Sequence, residues 1–308
     1  MVDLAESMKK KVIIHLHAYQ PISMTSEVYR HDPFKYSKSI ITDMGRIAWY
    51  SIAQDQYSGI LRMPSAYLLL LIRLWLAKAN AIITNSRKQL EILLSTFPFL
   101  KSKMRMIYNP PPEIHVEKKL TEHPHFIYLG GDSYIKGFPV IVKSLYKVRD
   151  KNMFNNAEFI FAGRYHSRSL SILNKVTKLC KHSVSVNLLG QINYERVKSL
   201  HEKAWALLFP SQCEEPLPYA IMESIITGTI PITSRVGGVE EMLPSDFRVF
   251  SLDYINEDEL IKKLEVVANL DRNAVQELGY RLREHARRLF DSEKIRNELI
   301  KVFADVNN

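Results

Sequence analysis

Two carboxylates, Glu215 and Glu223, stand eight residues apart in "QCEEPLPYAIMESIITGTIPITSRVGGVEE", with a Pro-Leu-Pro turn between them and the pair Gly237-Gly238 behind. A carboxylate offers two acceptor oxygens, which match a vicinal diol, so Glu223 is suited to a ribose and Glu215 to a group nearer a strand end. In isolation the pair reads as readily as a solvated helix glutamate and a surface-loop glutamate. Upstream, "FIYLGGDSYIKGF" sets Gly130 and Gly131 at a bend and Lys136 just before a helix opening near Gly137. Glycines let a backbone approach a phosphate, and a lysine adds a point charge beside a helix's positive end. Such turns are also common where nothing binds. Arg235 precedes Gly237-Gly238 and Glu241 follows them, so the two glycine loops look like two sides of one anion site. Near the front, His15 and His17 fall on one face of a strand, a spacing that suits a metal. No third ligand accompanies them, and ordinary packing of His15 is the simpler account. No D-x-D occurs, so no metal site is expected, and basic groups and helix ends must neutralise any diphosphate.

The elements that must position these groups alternate. Short β-rich runs, "VIIHLH", "AIITNS", "HFIYLGG", "EFIFAG", "VNLLG", "ALLFPS" and "IPITS", are each followed by an amphipathic stretch, which predicts an α/β fold with parallel sheets. In "GFPVIVKSLYKVRD", Phe138, Ile141, Leu145 and Val148 share one helical stripe that can cover a sheet face. Prolines 216 and 218 suit a loop and a helix first turn, so "YAIMESIITG" reads as a short helix ending at Gly228. The proline run and charged segment "YNPPPEIHVEKKLTEHP" interrupt the alternation and mark a domain boundary.

The composition, 308 residues with 42 Lys+Arg against 33 Asp+Glu, describes a globular chain long enough for two domains, with a net charge of +9 that favours anionic partners. Cys180 and Cys213 lie in unrelated contexts, which points to a reduced, intracellular protein with buried thiols. The opening residues lack a signal-peptide pattern, so the protein is expected in the cytoplasm. The apolar segment "SAYLLLLIRLWLAKANAIIT" is interrupted by Arg73 and Lys78 and is expected not to span a bilayer. A buried helix and a helix whose face touches the inner membrane surface both stay open for it.

The order and spacing of these pieces resemble the family 4 retaining glycosyltransferases of GT-B fold. Their signature is a strand, a Ser-rich turn, two glutamates with seven residues between them, Gly-x-Pro, a strand and a Gly-Gly loop. Here "LLFPSQCEEPLPYAIME", "TGTIPITS" and "RVGGVEE" follow in that order. "FIYLGGDSYIKGF" matches the donor-phosphate loop, and the resemblance runs from about Ile82 to the C-terminus. It implies that Glu223 holds the ribose diol, that Glu215 faces the transferred sugar's hydroxyls, and that Lys136, Gly237 and Gly238 contact the pyrophosphate beside Gly130 and Gly131. The family's arginine after the first glycine of that loop is replaced by Gly131, which leaves the diphosphate charge to Lys136, helped by Arg235 or Arg164. "VIIHLHAYQP" matches the strand ending in an active-site histidine, at His17.

The expected architecture is therefore GT-B-like, two Rossmann-like parallel-sheet domains facing a cleft, with an incomplete N-terminal domain. Residues 1–115 would form the partial acceptor side, 116–290 the donor-binding domain, and 291–308 a helix packing back on the first domain. The implied function is metal-independent transfer of a sugar from a nucleotide diphosphate sugar to a hydroxyl of a glycan, lipid-linked or small-molecule acceptor, with retention. Glu215, His17 and Lys136 would be the catalytic residues, and no cofactor beyond the donor is implied. The alternative is a non-catalytic sugar-nucleotide-binding module or one subunit of a split transferase. Nucleic acid is not an expected partner, since the arginine-rich "GYRLREHARRLF" has the spacing of a solvated helix face.

Overall fold

A computed structural model describes residues 2–32, 39–53, 57–149, 153–154, 156–180 and 184–307. The chain divides into two compact units, one made of Met1–Pro110, Cys213–Leu217 and Phe290–Asn308, the other of Pro111–Gln212 and Pro218–Leu289.

Unit 1 runs α1 (Val2–Ser7), β1 (Ile13–Leu16), α2 (Ile40–Ala53), α3 (Leu68–Lys78), β2 (Ala81–Thr84), α4 (Arg87–Thr96) and β3 (Met104–Met106). The three strands are parallel in the order β1-β2-β3. All four residues of β2 are buried, as a central strand covered on both faces requires. Leu16, Ile82 and Met104 from the strands pack with Leu76, Ile92 and Leu93 from α3 and α4. Ser86 caps α4, its side chain accepting from the Gln89 amide.

Unit 2 runs β4 (His125–Tyr128), α5 (Phe138–Lys147), β5 (Glu158–Ala162), α6 (Ser167–Cys180), β6 (Ser185–Gly190), α7 (Tyr194–Lys203), β7 (Ala206–Phe209), α8 (Tyr219–Thr227), β8 (Ile230–Ser234), α9 (Val239–Met242), β9 (Ser251–Leu252), α10 (Glu257–Ala268) and α11 (Arg272–Leu289). Its six strands are parallel in the order β6-β5-β4-β7-β8-β9. The final helix, α12 (Ser292–Asn307), groups with unit 1, where Phe290 meets the Tyr108 ring edge-on at 5.7 Å. Every run read as a strand from the sequence contains residues of one, and α8 ends at Gly228 as its pattern predicts. Two short strands, β3 and β9, had no sequence signal. Both cysteines are free and buried. The segment around Ala66–Ala77 is not a fully buried helix, because Leu69 and Leu76 are buried while Leu68, Leu70, Leu71 and Leu74 face outward.

Unit 2 also holds Lys118 in its interior, where the ammonium donates to the His201 and Ala204 carbonyls and the Thr229 hydroxyl at 2.7–2.8 Å. Burial pushes this lysine down to about 7 and His201 beside it down to about 3. The three donors of an ammonium meet three acceptors at the end of α7, so the group closes that helix from inside.

Candidate functional site

The strand order of unit 2 reverses once. From β4 the chain moves outward through β5 to β6, then returns to the other side of β4 with β7 and moves outward through β8 to β9. The switch point lies between β4 and β7, and loops leaving the carboxyl ends of strands there open a crevice for a ligand. These loops are the glycine loop after β4 and the Pro210–Gln212 turn after β7. They are tied together, since the Gln212 amide donates to the Ile135 carbonyl (2.8 Å), its side-chain Nε2 to the Tyr134 carbonyl (3.1 Å), and the Ser211 hydroxyl to the Ile135 carbonyl (3.1 Å). The Ser234 hydroxyl at the end of β8 donates to the Ser211 carbonyl (2.5 Å), which fastens the third loop to the second.

The glycine loop is shaped by close backbone approach. Gly131 has φ +61°, and a Cβ there would sit 2.5 Å from the Arg164 carbonyl oxygen. An arginine at this position has no room, and Arg164 itself lies exposed on the neighbouring loop. Gly137 has φ +80°, and its added Cβ would lie 2.0 Å from the Pro210 carbonyl oxygen. Gly137→Ala is expected to destabilise the protein by at least about 2 kcal/mol, combining left-handed strain with displacement of the β7 loop. A urea midpoint within error of wild type would refute that account. Lys136 is thereby fixed at the start of α5, its ammonium 5.4 Å above the Phe209 ring. The first amides of α5 are already used, Phe138 bonding to Ser133 and both Val140 and Ile141 to Gly137. The loop therefore offers an anion the Lys136 charge backed by the helix's positive end.

Glu223 projects from α8 and is hydrogen bonded by the Tyr194 hydroxyl at the start of α7. Partial burial raises the Glu223 pKa against that bond, and burial together with the Glu223 charge pushes Tyr194 up to about 12. Arg235 does not point an unengaged guanidinium at the glycine loops. Its Nε bonds Glu240 at 2.6 Å and its Nη1 reaches Asp253 at 3.4 Å. Gly237 has φ +52° and Gly238 caps α9, which is only four residues long.

The remaining two predicted residues belong to unit 1. Glu215 sits in the Cys213–Leu217 excursion, which is stitched to unit 1 by the Glu214 amide donating to the Val28 carbonyl (2.7 Å) and by a bridge between Tyr29 and Cys213. His17 follows β1 and is exposed. Buried Asn85, just past β2, reads both histidines. Its Nδ2 donates to the Leu16 carbonyl (3.1 Å), its Oδ1 accepts from His15 Nε2 (2.5 Å), and its second Nδ2 hydrogen faces His17 Nδ1 at 3.4 Å. That pattern places the proton of a neutral His17 on Nε2, turned away from Asn85. Burial lowers the His15 pKa in spite of its bond to Asn85, keeping it neutral, and its ring packs 4.3 Å from that of His17. Buried Gln89 donates to the Leu16 and Ala18 carbonyls (3.1 and 3.2 Å), so amides clamp the peptide on both sides of His17. Among the described residues no group of three or more His, Cys, Asp or Glu is placed to hold a metal ion.

Residues 112–288, more than half the chain, match the family described as Glycosyl transferases group 1. The chain belongs to this family. An uncharacterized glycosyltransferase of Methanocaldococcus jannaschii is 23% identical over 270 residues, 78% of this chain and 64% of the relative. An uncharacterized 42.6 kDa protein in the cps region of Klebsiella pneumoniae is 26% identical over 158 residues, 43% of this chain and 39% of that protein. The chain thus spans less than two thirds of the curated relatives it matches. Among solved structures, sucrose-phosphate synthase from Thermosynechococcus elongatus superposes with TM-score 0.68 at 15% identity, over 99% of this chain and 70% of that one. Anabaena HepE, in complex with UDP-glucose, gives 0.65 at 14% over 99% and 75%. S. aureus TarM, in complex with fondaparinux, alpha-GlcNAc-glycerol and UDP, gives 0.63 at 18% over 74% and 44%. At these identities the likeness concerns the fold, and the neighbours are GT-B glycosyltransferases.

Within this group 1 chain, Lys136, Gly130, Gly131, Glu223, Arg235, Gly237 and Gly238 lie in unit 2, and His17 and Glu215 in unit 1. The residues that sequence reasoning missed are Tyr194, Asn85 and Gln89. Each acts through a partner remote in sequence, Tyr194 on Glu223 and the two amides on the loop holding His17. The "TNS" after β2 was the only sequence cue for Asn85, and it reads equally as a cap for α4.

Proposed function

We propose that this chain transfers a sugar from a nucleoside diphosphate sugar to an acceptor hydroxyl with retention of configuration, needing no divalent ion. The observation that carries the reading is the switch point of the family-matched unit, where the glycine loop with Lys136 and the β7 loop leading to Glu223 leave neighbouring strands. Glu223 takes the ribose diol, and Lys136 with the Gly237-Gly238 loop takes the diphosphate. Glu215 and His17 address the sugar. The bond from the anomeric carbon to the diphosphate oxygen breaks while the acceptor oxygen bonds the same carbon on the same face. The acceptor's proton passes to an oxygen of the departing diphosphate. UDP and UDP-glucose in HepE, and a glycan beside UDP in TarM, support a nucleotide-sugar donor and a glycan-type acceptor. The acceptor hydroxyl stays defined by class: glycan, lipid-linked or small molecule.

The test is thermal. UDP at millimolar concentration, with EDTA present, is expected to raise Tm, because a ligand bound only to the native state stabilises it. GDP and ADP serve as comparisons. Glu223→Ala is expected to weaken the best nucleotide by roughly 1 to 3 kcal/mol, the cost of removing a charged acceptor from a diol. Because burial raises the Glu223 pKa, the wild-type affinity should also fade on acidification earlier than an ordinary glutamate would allow. No shift with any of the three nucleotides would sink the donor site and the transferase reading with it.

A further inference from the structure

Tyr67, Leu70, Leu71 and Leu74 occupy positions i, i+3, i+4 and i+7 along α3 and the residue before it, and all four are between 42% and 60% exposed. This is the arrangement of a helix's buried stripe, turned toward solvent. Leu61 and Leu68 add to the exposed apolar surface. The other side of the helix is already engaged, with Leu69 and Leu76 in the core of unit 1 and Arg73 donating to the Pro21 carbonyl (3.1 Å) and to Asp43 (2.7 Å). Residues Ile60–Lys78 are long and apolar enough to cross a membrane by length and composition. The regular helix α3, however, is eleven residues, about 16 Å, roughly half a hydrocarbon core, and its inner face is bonded to the protein.

Unit 1 as a whole carries 18 Lys+Arg and 13 Asp+Glu, a net +5, and the other unit 24 and 20, a net +4, so the basic character near this helix is local. Lys9, Lys10 and Lys11 are consecutive and exposed, directly after α1. That helix is fastened to the end of α3, where Asp3 accepts from Trp75 Nε1 (2.8 Å) and Lys78 (2.8 Å) and Glu6 accepts from Lys78 (2.7 Å). The lysine triplet is therefore attached to the same helix that displays the leucines. At the other end, exposed Arg62 stands beside Leu61.

We propose that this face of unit 1 is a docking surface for an anionic lipid bilayer, in which the α3 leucines enter the acyl boundary and the lysines meet the headgroups. Two copies pairing through the stripe would leave the lysine triplets without an anionic partner, and a nucleic acid would have no use for the leucines. An anionic leaflet satisfies both features at once. The proposal stands apart from the transferase reading, and its test involves no turnover.

The experiment is cosedimentation of the full chain with vesicles of phosphatidylcholine alone and of phosphatidylcholine mixed with phosphatidylglycerol. Binding is expected to the mixed vesicles, weakening as salt rises, with at least about tenfold less to the neutral ones. The triple variant Leu70→Glu, Leu71→Glu, Leu74→Glu should abolish it. Reversing Lys9, Lys10 and Lys11 to Glu should weaken it by at least about fivefold for each lysine, and both variants should keep the wild-type melting curve. Should the leucine variant not fold, Leu71→Ser and the lysine reversal decide the matter, since both sites are exposed. Equal binding to neutral vesicles, binding that neither variant reduces, or none at all would overturn the proposal. So would sedimentation velocity showing a dimer that the leucine variant dissolves, which would assign the face to a second copy of the chain.

Discussion

Lys136→Ala is expected to lower kcat for donor turnover by about 10²- to 10³-fold, and Lys136→Arg to restore only part of it. As the sugar departs, negative charge grows on the diphosphate, and a cation fixed beside that oxygen interacts more strongly with the transition state than with the bound donor. In the proposed reaction this task falls chiefly to Lys136. The first amides of α5 are spent on Ser133 and Gly137. Arg235 is committed to Glu240 and Asp253, and position 131 admits no side chain. Lys136 sets a compact ammonium 5.4 Å above the Phe209 ring, and the longer, planar guanidinium would place its charge differently. Steady-state kinetics with UDP-sugars, beside calorimetric UDP binding, separates the roles. If UDP affinity and kcat/KM fall together while kcat is unchanged, Lys136 binds the donor and the transition state equally and does not favour the latter.

Much of this site was written in short-range patterns. Strands β4, β5, β7 and β8 are buried runs bounded by glycine or proline, and the parallel sheet they form follows from the helical stretches between them. The turn at Gly131 and the helix stop at Gly228 were legible for the same reason, because a positive φ leaves a residue type as its mark. Strand β3 has three residues and β9 two, too few for any period to register, and only neighbouring strands make them strands. Arg235 was read as an anion ligand because its loop looks like the first. The acids that occupy it are one five residues on and the other eighteen, and nothing local announces Asp253. Tyr194 and Asn85 were invisible as site residues for a similar reason. Their meaning lies in the partner, and the partner is decided by strand order.

His17→Ala is expected to cut donor turnover by about 100-fold while leaving UDP affinity nearly unchanged, and the reason lies in how the ring is held. A donor-binding module would gain nothing from a clamped imidazole, yet Asn85 and Gln89 spend buried amides on the peptides flanking this one. With Nδ1 facing the Asn85 amide, neutral His17 presents an N–H at Nε2, a donor suited to a sugar hydroxyl rather than a base. Asn85→Ala should therefore keep the ring but lose its tautomer, lowering kcat with little change in KM, and long-range proton–nitrogen NMR should show the Nε2–H form giving way to a mixture. Donor hydrolysis serves as the assay until an acceptor is found. If Asn85→Ala leaves the tautomer as it was, the amide does not set the imidazole and only the packing remains. If wild type binds UDP yet turns over no donor across a broad acceptor panel, or His17→Ala matches wild type, catalysis by this chain fails. The sugar-nucleotide-binding module then becomes the better reading, with the Glu223 and Lys136 site intact.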